Sequence, residues 1–276
     1  MSDQRVPADQ FVALHQRAGA FVIPNPWDAG SARLLAHLGF EALATTSAGF
    51  AFSIGKQDTA VSRDEMLAHV AAIAAATPLP VSADLENGYA DAPREVVTTY
   101  LRAAEAGAVG ASIEDATNKP GDPIYDIELA ADRVRAVAEA VHALPWPFTL
   151  TARAENHLHG RPDLADTIAR LQAYQQAGAD VLYAPGLITA DDIAAVVHAV
   201  DRPVNVLAGV PGFTLDRATL DAIGVRRISI GSGLARAALG EFLRASREMR
   251  DRGTFSFMDD VVPFAEVMGM LKTPDR

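Results

Sequence analysis

Asp84 and Glu86 stand two residues apart at the end of the short apolar run Pro80-Val81-Ser82-Ala83. In an extended strand that spacing points both carboxylates the same way. Glu114 closes the next such run, residues 109–114, and neighbouring strands lie about 4.8 Å apart in the hydrogen-bonding direction. Three crowded carboxylates repel one another unless a proton or a cation intervenes. A hard divalent ion answers that need, since Mg²⁺ takes oxygen ligands, keeps several waters and uses only one or two carboxylates. Asp84, Glu86 and Glu114 are therefore the candidate metal-binding residues, with Asp115 adding a further negative charge. The competing reading pairs them with Arg or Lys, or sets them at helix caps.

Other chemistry-bearing groups fall at comparable places. Arg153 ends Phe148-Thr149-Leu150-Thr151-Ala152, and its planar fork suits a carboxylate or phosphate; a salt bridge to Glu155 is the plainer alternative. Thr45 through Gly49 form a small polar turn whose backbone N–H groups suit an oxyanion. Trp27 and Tyr89 either face a cavity or pack beneath loops. His157 and His159 have metal-ligand spacing but read as a solvated loop. Gly231-Ser232-Gly233 opens a helix where a phosphate sits in some barrels, yet no Lys stands nearby to support it.

These groups need a scaffold that brings strand ends together. Short apolar runs at residues 21–24, 42–46, 80–84, 109–114, 148–153, 181–184, 204–207 and 227–230 read as strands buried on both faces. Helical patterns follow each, at 29–38, 63–75, 93–106, 127–143, 164–177, 190–199, 215–223 and 234–252, and several end at a glycine suited to a helix C-terminus (Gly39, Gly107, Gly178, Gly224). Eight such units in roughly 230 residues predict a (β/α)8 TIM-type barrel. An open doubly wound sheet is the alternative, but no Gly-x-Gly-x-x-Gly follows the first strand. The whole chain, 1–276, reads as one domain: an N-terminal helix within 1–20, a barrel over 21–252 and a helical extension over 253–276. In such a barrel the site lies at the C-terminal ends of the strands, which is where the polar residues above fall.

Composition narrows the chemistry. There is no cysteine, which excludes disulfides, thiolate metal sites and a Cys nucleophile. A net charge of −11 argues against nucleic acid as a partner. Neither a signal pattern nor a run of about 18 apolar residues is present, so the expectation is a cytoplasmic protein with no membrane partner.

Taken together, Pro24-Asn25-Pro26-Trp27-Asp28-Ala29-Gly30, Gly55-Lys56-Gln57-Asp58, Asp84-Leu85-Glu86-Asn87-Gly88-Tyr89, Ser112-Ile113-Glu114-Asp115 and Thr151-Ala152-Arg153-Ala154-Glu155-Asn156 resemble the isocitrate lyase/phosphoenolpyruvate mutase superfamily over about residues 20 to 250. The resemblance implies a barrel whose C-terminal helix is swapped between subunits, in a homotetramer built as a dimer of helix-swapped dimers. It implies Mg²⁺, with Mn²⁺ as a substitute, held by Asp84 and Glu114 directly or through water, with Glu86 in the same cluster and Asp58 nearby. Arg153 then resembles the substrate-carboxylate arginine, and Thr46, Ser47 and Ala48 the turn that holds carboxylate and oxyanion. Glu155 resembles the acidic residue of the mutase-like motif, and Trp27 joins the substrate-binding set. The partner so implied is a small dicarboxylate or phosphonate keto acid.

One departure matters. The superfamily's lyases carry a Lys-Lys-Cys-Gly-His-type gating loop, and its Cys is the catalytic acid/base. Here residues 115–126 contain neither Cys nor His. Asn118 and Lys119 stand as counterparts of the Asn and Lys of the mutase branch, in reversed order, within an irregular lid at 117–125. The expected activity is cleavage or rearrangement of a C–C or P–C bond in a 2-oxo or 2-hydroxy acid through an enolate. Oxaloacetate-type decarboxylation, phosphonomutase or hydrolase chemistry and a Cys-free lyase all remain open. The alternative is a non-catalytic barrel that binds a keto acid.

Overall fold

The computed structural model describes residues 4–272. The strands β1 (Phe21–Ile23), β2 (Leu43–Ala44), β3 (Val81–Asp84) and β4 (Gly110–Glu114) are followed by a small hairpin, β5 (Ala116–Lys119) and β6 (Asp122–Ile124). Then come β7 (Thr149–Arg153), β8 (Val181–Tyr183), β9 (Val204–Leu207) and β10 (Arg227–Ser229). Apart from the hairpin, all pair in parallel in the order β1-β10-β9-β8-β7-β4-β3-β2. The eight apolar runs are thus the eight barrel strands, shortened at their ends.

The seam between β1 and β2 is closed by few bonds. Ala44 N–H donates to the Pro24 carbonyl at 3.1 Å. Asn25 straps the join: its Nδ2 donates to Thr45 O at 3.0 Å, and its Oδ1 accepts from Ile230 N at 3.0 Å. The sheet is therefore a barrel rather than a doubly wound layer.

Seven helices wrap it: α2 (Ala29–His37), α4 (Arg63–Ala76), α5 (Pro93–Glu105), α6 (Ile127–His142), α7 (Leu164–Gln176), α8 (Ala190–Ala199) and α9 (Arg217–Ile223); the helix after β10, α10 (Gly233–Arg252), projects away from it. Asp28 and Ser62 start α2 and α4 with reciprocal side-chain and backbone capping bonds, which satisfy N–H groups that no helical carbonyl reaches. Gly178 ends α7 at φ +105°, and a Cβ there would come within 2.9 Å of the Ala138 Cβ. Only glycine fits both demands.

The N-terminal helix α1 (Arg5–Gln16) plugs the bottom of the barrel. Phe11, fully buried, packs with Ala8, Leu14, Phe21, Ile23, Ala42 and Val109. Gly110 makes the room: a Cβ there would lie 2.9 Å from Phe11 Cε1 and 2.7 Å from the Thr149 carbonyl.

Two segments differ from expectation. Residues 47–53 form a short helix, α3 (Ser47–Ser53), in place of a plain polar turn, because the Thr46 side chain caps it by accepting from Gly49 N. The lid at 117–125 is largely the β5–β6 hairpin rather than irregular chain, its turn made by Asn118 at φ +58° and Gly121 at φ +87°. Beyond the barrel, α10 buries only Ala235, and α11 (Phe264–Met270) buries nothing. Arg33 Nη2 donates to Leu271 O at 2.8 Å, which fastens the end of the extension beside α2. The expected extension runs on to residue 276, and its last four residues lie outside the described ones.

Two buried histidines tie stability to pH. His15 donates from Nδ1 to Phe11 O at 2.8 Å, and burial, with Arg227 nearby, lowers its pKa to about 3. His69 stacks on Phe50 at 3.9 Å, and burial lowers its pKa to about 4. The unfolded chain binds these protons near pH 6.5, so both contributions are intact above that pH. They are lost as pH falls toward 4 and then 3, at up to roughly 1.4 kcal/mol per pH unit for each histidine. We expect neither imidazole to titrate above pH 5 by NMR, and His69→Phe to flatten the acid limb of urea-unfolding stability.

Candidate active site

The C-terminal mouth of the barrel holds a cavity of about 230 Å³. Its wall includes Thr46, Ser47, Ala48, Asp58, Asp84 and Arg153. All six come from the set read off the sequence.

Asp84, the last residue of β3, is held on both oxygens. Its Oδ2 accepts from Ser47 N at 2.9 Å. Its Oδ1 accepts from Arg153 Nη1 at 3.0 Å and from Ser112 Oγ at 3.3 Å. Its own N–H donates to Thr45 Oγ1 at 2.8 Å. The Ser47 amide reaches Asp84 because α3 begins at that residue, and α3 begins there because Thr46 caps it. Gly49 is required for the cap, since a Cβ would come within 2.5 Å of Thr46 Cγ2 and 3.3 Å of Trp27 Cβ. Trp27 is thus packed against α3, half-buried, and does not line the cavity.

Arg153 ends β7 and faces three carboxylates. Beyond Asp84 it pairs with Glu155 Oε1 (Nη2 at 2.6 Å, Nε at 2.7 Å) and with Glu114 Oε2 at 3.3 Å. Its guanidinium also lies 5.1 Å over the Tyr183 ring. The salt bridge to Glu155 and the place in the cavity wall are both realised. Burial pushes the Glu114 carboxyl well above its ordinary range and raises Glu155 as well, with Arg153 opposing both.

A second group of acids sits beside Asp84. Asp58 is raised by burial and then by the Asp84 charge. Glu86 is pushed up to about 7 by burial, then by Asp84 and Asp58. It holds a positive φ of 51°, and Tyr89 donates to its Oε1 at 3.4 Å.

Among the described residues, no group of three Asp, Glu or His side chains is close enough to hold a metal ion by itself. The donor chemistry still fits a water-rich Mg²⁺ site. Burial raises the Asp58 and Glu86 carboxyls, and the negative charge of neighbouring acids, Asp84 first, raises them further against the pull of Arg153. Asp84 would be a direct ligand, with Asp58 and Glu86 reaching the ion through water. Neither Glu86 nor Glu114 lines the cavity, and Glu114 pairs with Arg153 at 3.3 Å.

Other expected residues lie elsewhere. Asp115 is not in this acidic cluster. Its Oδ2 accepts from Tyr174 OH at 2.6 Å and Arg170 Nη1 at 3.0 Å, and its Oδ1 accepts from Glu155 N at 2.8 Å. It is a buried brace beneath the site. Asn118 and Lys119 do not line the cavity. Asn118 makes the hairpin turn, while Lys119 forms a half-exposed ion pair with Asp91, to which Tyr125 OH also donates. His157 is half-buried against Gly186 rather than solvated, and His159 is exposed. Gly231 and Ser232 do line the cavity.

Sequence reasoning missed Arg227 and Tyr183, which complete the wall with Asn25, Asn205 and Ser229. Strand register gathers them. Glu114 lies opposite Arg153, Arg153 opposite Tyr183, Tyr183 opposite Asn205, and Asn205 opposite Arg227. These five residues on five adjacent strands form one belt. The available signal was a pair of arginines, Arg226 and Arg227, at the start of the last strand run, one of which an alternating strand must turn inward.

The phosphoenolpyruvate phosphomutase family matches residues 11–250. A crystal structure from Burkholderia cenocepacia, described in general terms as of the lyase/mutase kind, is 60% identical, with a TM-score of 0.96 and coverage of 99% of this chain and 98% of that one. Oxaloacetate decarboxylase of Chromohalobacter salexigens is 28% identical over 251 residues, 88% of this chain and 85% of its own length. Phosphonopyruvate hydrolase in complex with oxalate and Mg²⁺ shares the fold, at a TM-score of 0.84 and 23% identity over 96% of this chain and 94% of that one. With that match spanning all eight barrel strands, the chain belongs to the phosphoenolpyruvate phosphomutase family, within the isocitrate lyase/phosphoenolpyruvate mutase superfamily.

Proposed function

We propose that this chain is a Mg²⁺-dependent enzyme that cleaves or rearranges a C–C or P–C bond of a small 2-oxo or 2-hydroxy acid through an enolate. The carrying observation is Asp84, clamped on both oxygens at the cavity wall with Asp58 and Arg153 beside it. The cation, when bound, would act as a Lewis acid toward the negative charge that develops on the 2-oxygen.

The protein's own groups supply the rest. Arg153 orients the substrate carboxylate, and its carboxylate partners hold the fork in place. Thr46, Ser47 and Ala48 form the wall that receives the carboxylate and oxyanion. Asp58, held above its ordinary acidity range, is the group placed to hold or release a proton in the cavity. The β5–β6 hairpin is latched to the loop after β3 through Asp91, and as the lid it would close over bound substrate to exclude water.

Oxaloacetate-type decarboxylation and P–C chemistry ask the least of this site. No Cys, His or Lys lines the cavity among the described residues, so a lyase of the Cys-dependent kind lacks its acid/base. A panel of oxaloacetate, phosphonopyruvate, 2-methylisocitrate, isocitrate and dimethylmalate, followed by NMR with Mg²⁺ and with chelator, tests the proposal. We expect at least one to be consumed only with the metal, and Asp84→Asn to slow that turnover by about 100-fold or more. Consumption of none would favour the keto-acid-binding alternative, which one observation supports: the lid's amine, Lys119, is engaged with Asp91 outside the cavity.

The latch makes its own prediction. Lys119→Ala should raise KM and lower kcat by less than about tenfold, because it loosens closure without removing a reacting group. Loss of all turnover with Mg²⁺ affinity intact would instead make Lys119 the proton donor.

We also infer a homotetramer of helix-swapped dimers. The α10 helix leaves the barrel with Leu239, Phe242, Leu243 and Met249 exposed, and Phe255, Met258 and Phe264 continue the apolar surface. Faces of this kind mark protein contacts. Light scattering should give four chains in solution, and Phe242→Asp with Leu243→Asp should reduce the assembly.

A further inference from the structure

The cavity wall contains two arginines, and only one has carboxylate partners. Arg153 sits among Asp84, Glu114 and Glu155. Arg227, on β10, is only 5% exposed and makes one hydrogen bond, from Nε to Asn205 Oδ1 at 2.9 Å. Its Nη1 is buried with no partner, and among the described residues no Asp or Glu forms an ion pair with it. A buried charge without a partner is among the most unfavourable features a core can keep. Here the surroundings are an amide, the Tyr183 ring system and, on the side of α1, a neutral His15. Burial lowers the Arg227 pKa only to about 10, so the guanidinium stays charged at neutral pH.

The neighbours of Arg227 are fixed, which makes the place a built one. Asn205 uses Oδ1 to hold Nε, while its Nδ2 donates to Ser229 Oγ at 3.0 Å. With Nε committed, the Nη edge of the fork is what remains for an anion. Arg153 and Arg227 stand three strand steps apart on the same interior belt, separated by Tyr183 and Asn205. A cavity of about 230 Å³ lies between the strands that carry them. That is smaller than the roughly 300–1,000 Å³ of drug-sized sites, so one small molecule spans it.

We propose that Arg227 is a second anion-binding group of this cavity, taking the remote carboxylate of a small dicarboxylic acid whose reacting end lies at Asp84 and Arg153. The assignment rests on the function proposed above and narrows its substrate class: a monoacid such as pyruvate leaves Arg227 uncompensated, whereas a four-carbon diacid meets both arginines. A site that hydrogen-bonds a substrate group discriminates strongly against the analogue lacking it.

The test is calorimetric binding, with Mg²⁺ present, of oxalate, lactate and malate to the full chain. Lactate and malate share a 2-hydroxy acid end and differ in the remote carboxylate. We expect the wild type to bind malate at least tenfold more tightly than lactate. Arg227→Met should abolish that preference, leave oxalate and lactate within about twofold, and keep a Tm no lower than the wild type. Arg227→Lys, which retains the charge, should keep part of the preference. An unchanged malate-to-lactate ratio in Arg227→Met, with oxalate still bound, would overturn the assignment alone. A lowered Tm with all three affinities reduced together would make Arg227 a core residue and overturn it too. Failure of the wild type to bind oxalate with Mg²⁺ would overturn the proposed function and this assignment with it.

Discussion

One cation set against several buried carboxylates organises this site. Arg153 binds Asp84, Glu114 and Glu155 at once, and each acid comes from a different strand end or its following loop. Removing a group of charges from water is costly, and it is tolerated only where geometry and hydrogen bonds are well matched. The barrel meets that condition by register, since Glu114 and Arg153 are direct partners on β4 and β7. Beside this network, burial and then the Asp84 charge raise the Asp58 and Glu86 carboxyls.

A second tier of buried polar residues holds this first one steady. Asp115, one residue past Glu114, is held by Tyr174 and Arg170 and in turn receives the Glu155 amide. Arg133 donates to the Asp91 carbonyl at 2.7 Å and lies 4.3 Å over the Tyr125 ring, so the loop after β3 and the hairpin after β4 share one anchor. Buried networks of this kind stabilise only when every member is satisfied. Arg227 is a charged exception, its Nη1 buried without a partner, and exceptions of that sort collect at functional sites.

Much of the scaffold was legible in the chain. Short β-branched runs alternating with helical patterns identified all eight barrel strands, because strands buried on both faces have a strong local signature. Gly39, Gly107, Gly178 and Gly224 marked helix ends, and each has a positive φ. Asp84 and Arg153 were found because a barrel puts its chemistry at strand ends, and Asp58 through the family resemblance of Gly55-Lys56-Gln57-Asp58. Local reasoning failed where a contact from far along the chain decides. Residues 47–53 carry no helical periodicity, yet a threonine cap makes them α3. Residues 117–125 look irregular, yet they pair as a hairpin. Asp115 looked like one more site acid, but Arg170 and Tyr174, more than fifty residues away, turn it inward.

Residue types and spacing thus determined by themselves the barrel, the family resemblance, the acid-rich strand ends and the absence of a cysteine acid/base. Each of these is either a periodicity of the backbone or a simple presence or absence. Only the tertiary structure decided which charges meet. It drew Glu114 to Arg153, sent Lys119 to Asp91 outside the cavity, and raised Arg227 from an odd residue in a strand to a buried, unpartnered cation facing the site. Such pairings depend on strand register and on the distance between residues remote in sequence. Coulomb energy and desolvation act through those distances, and a linear chain does not contain them.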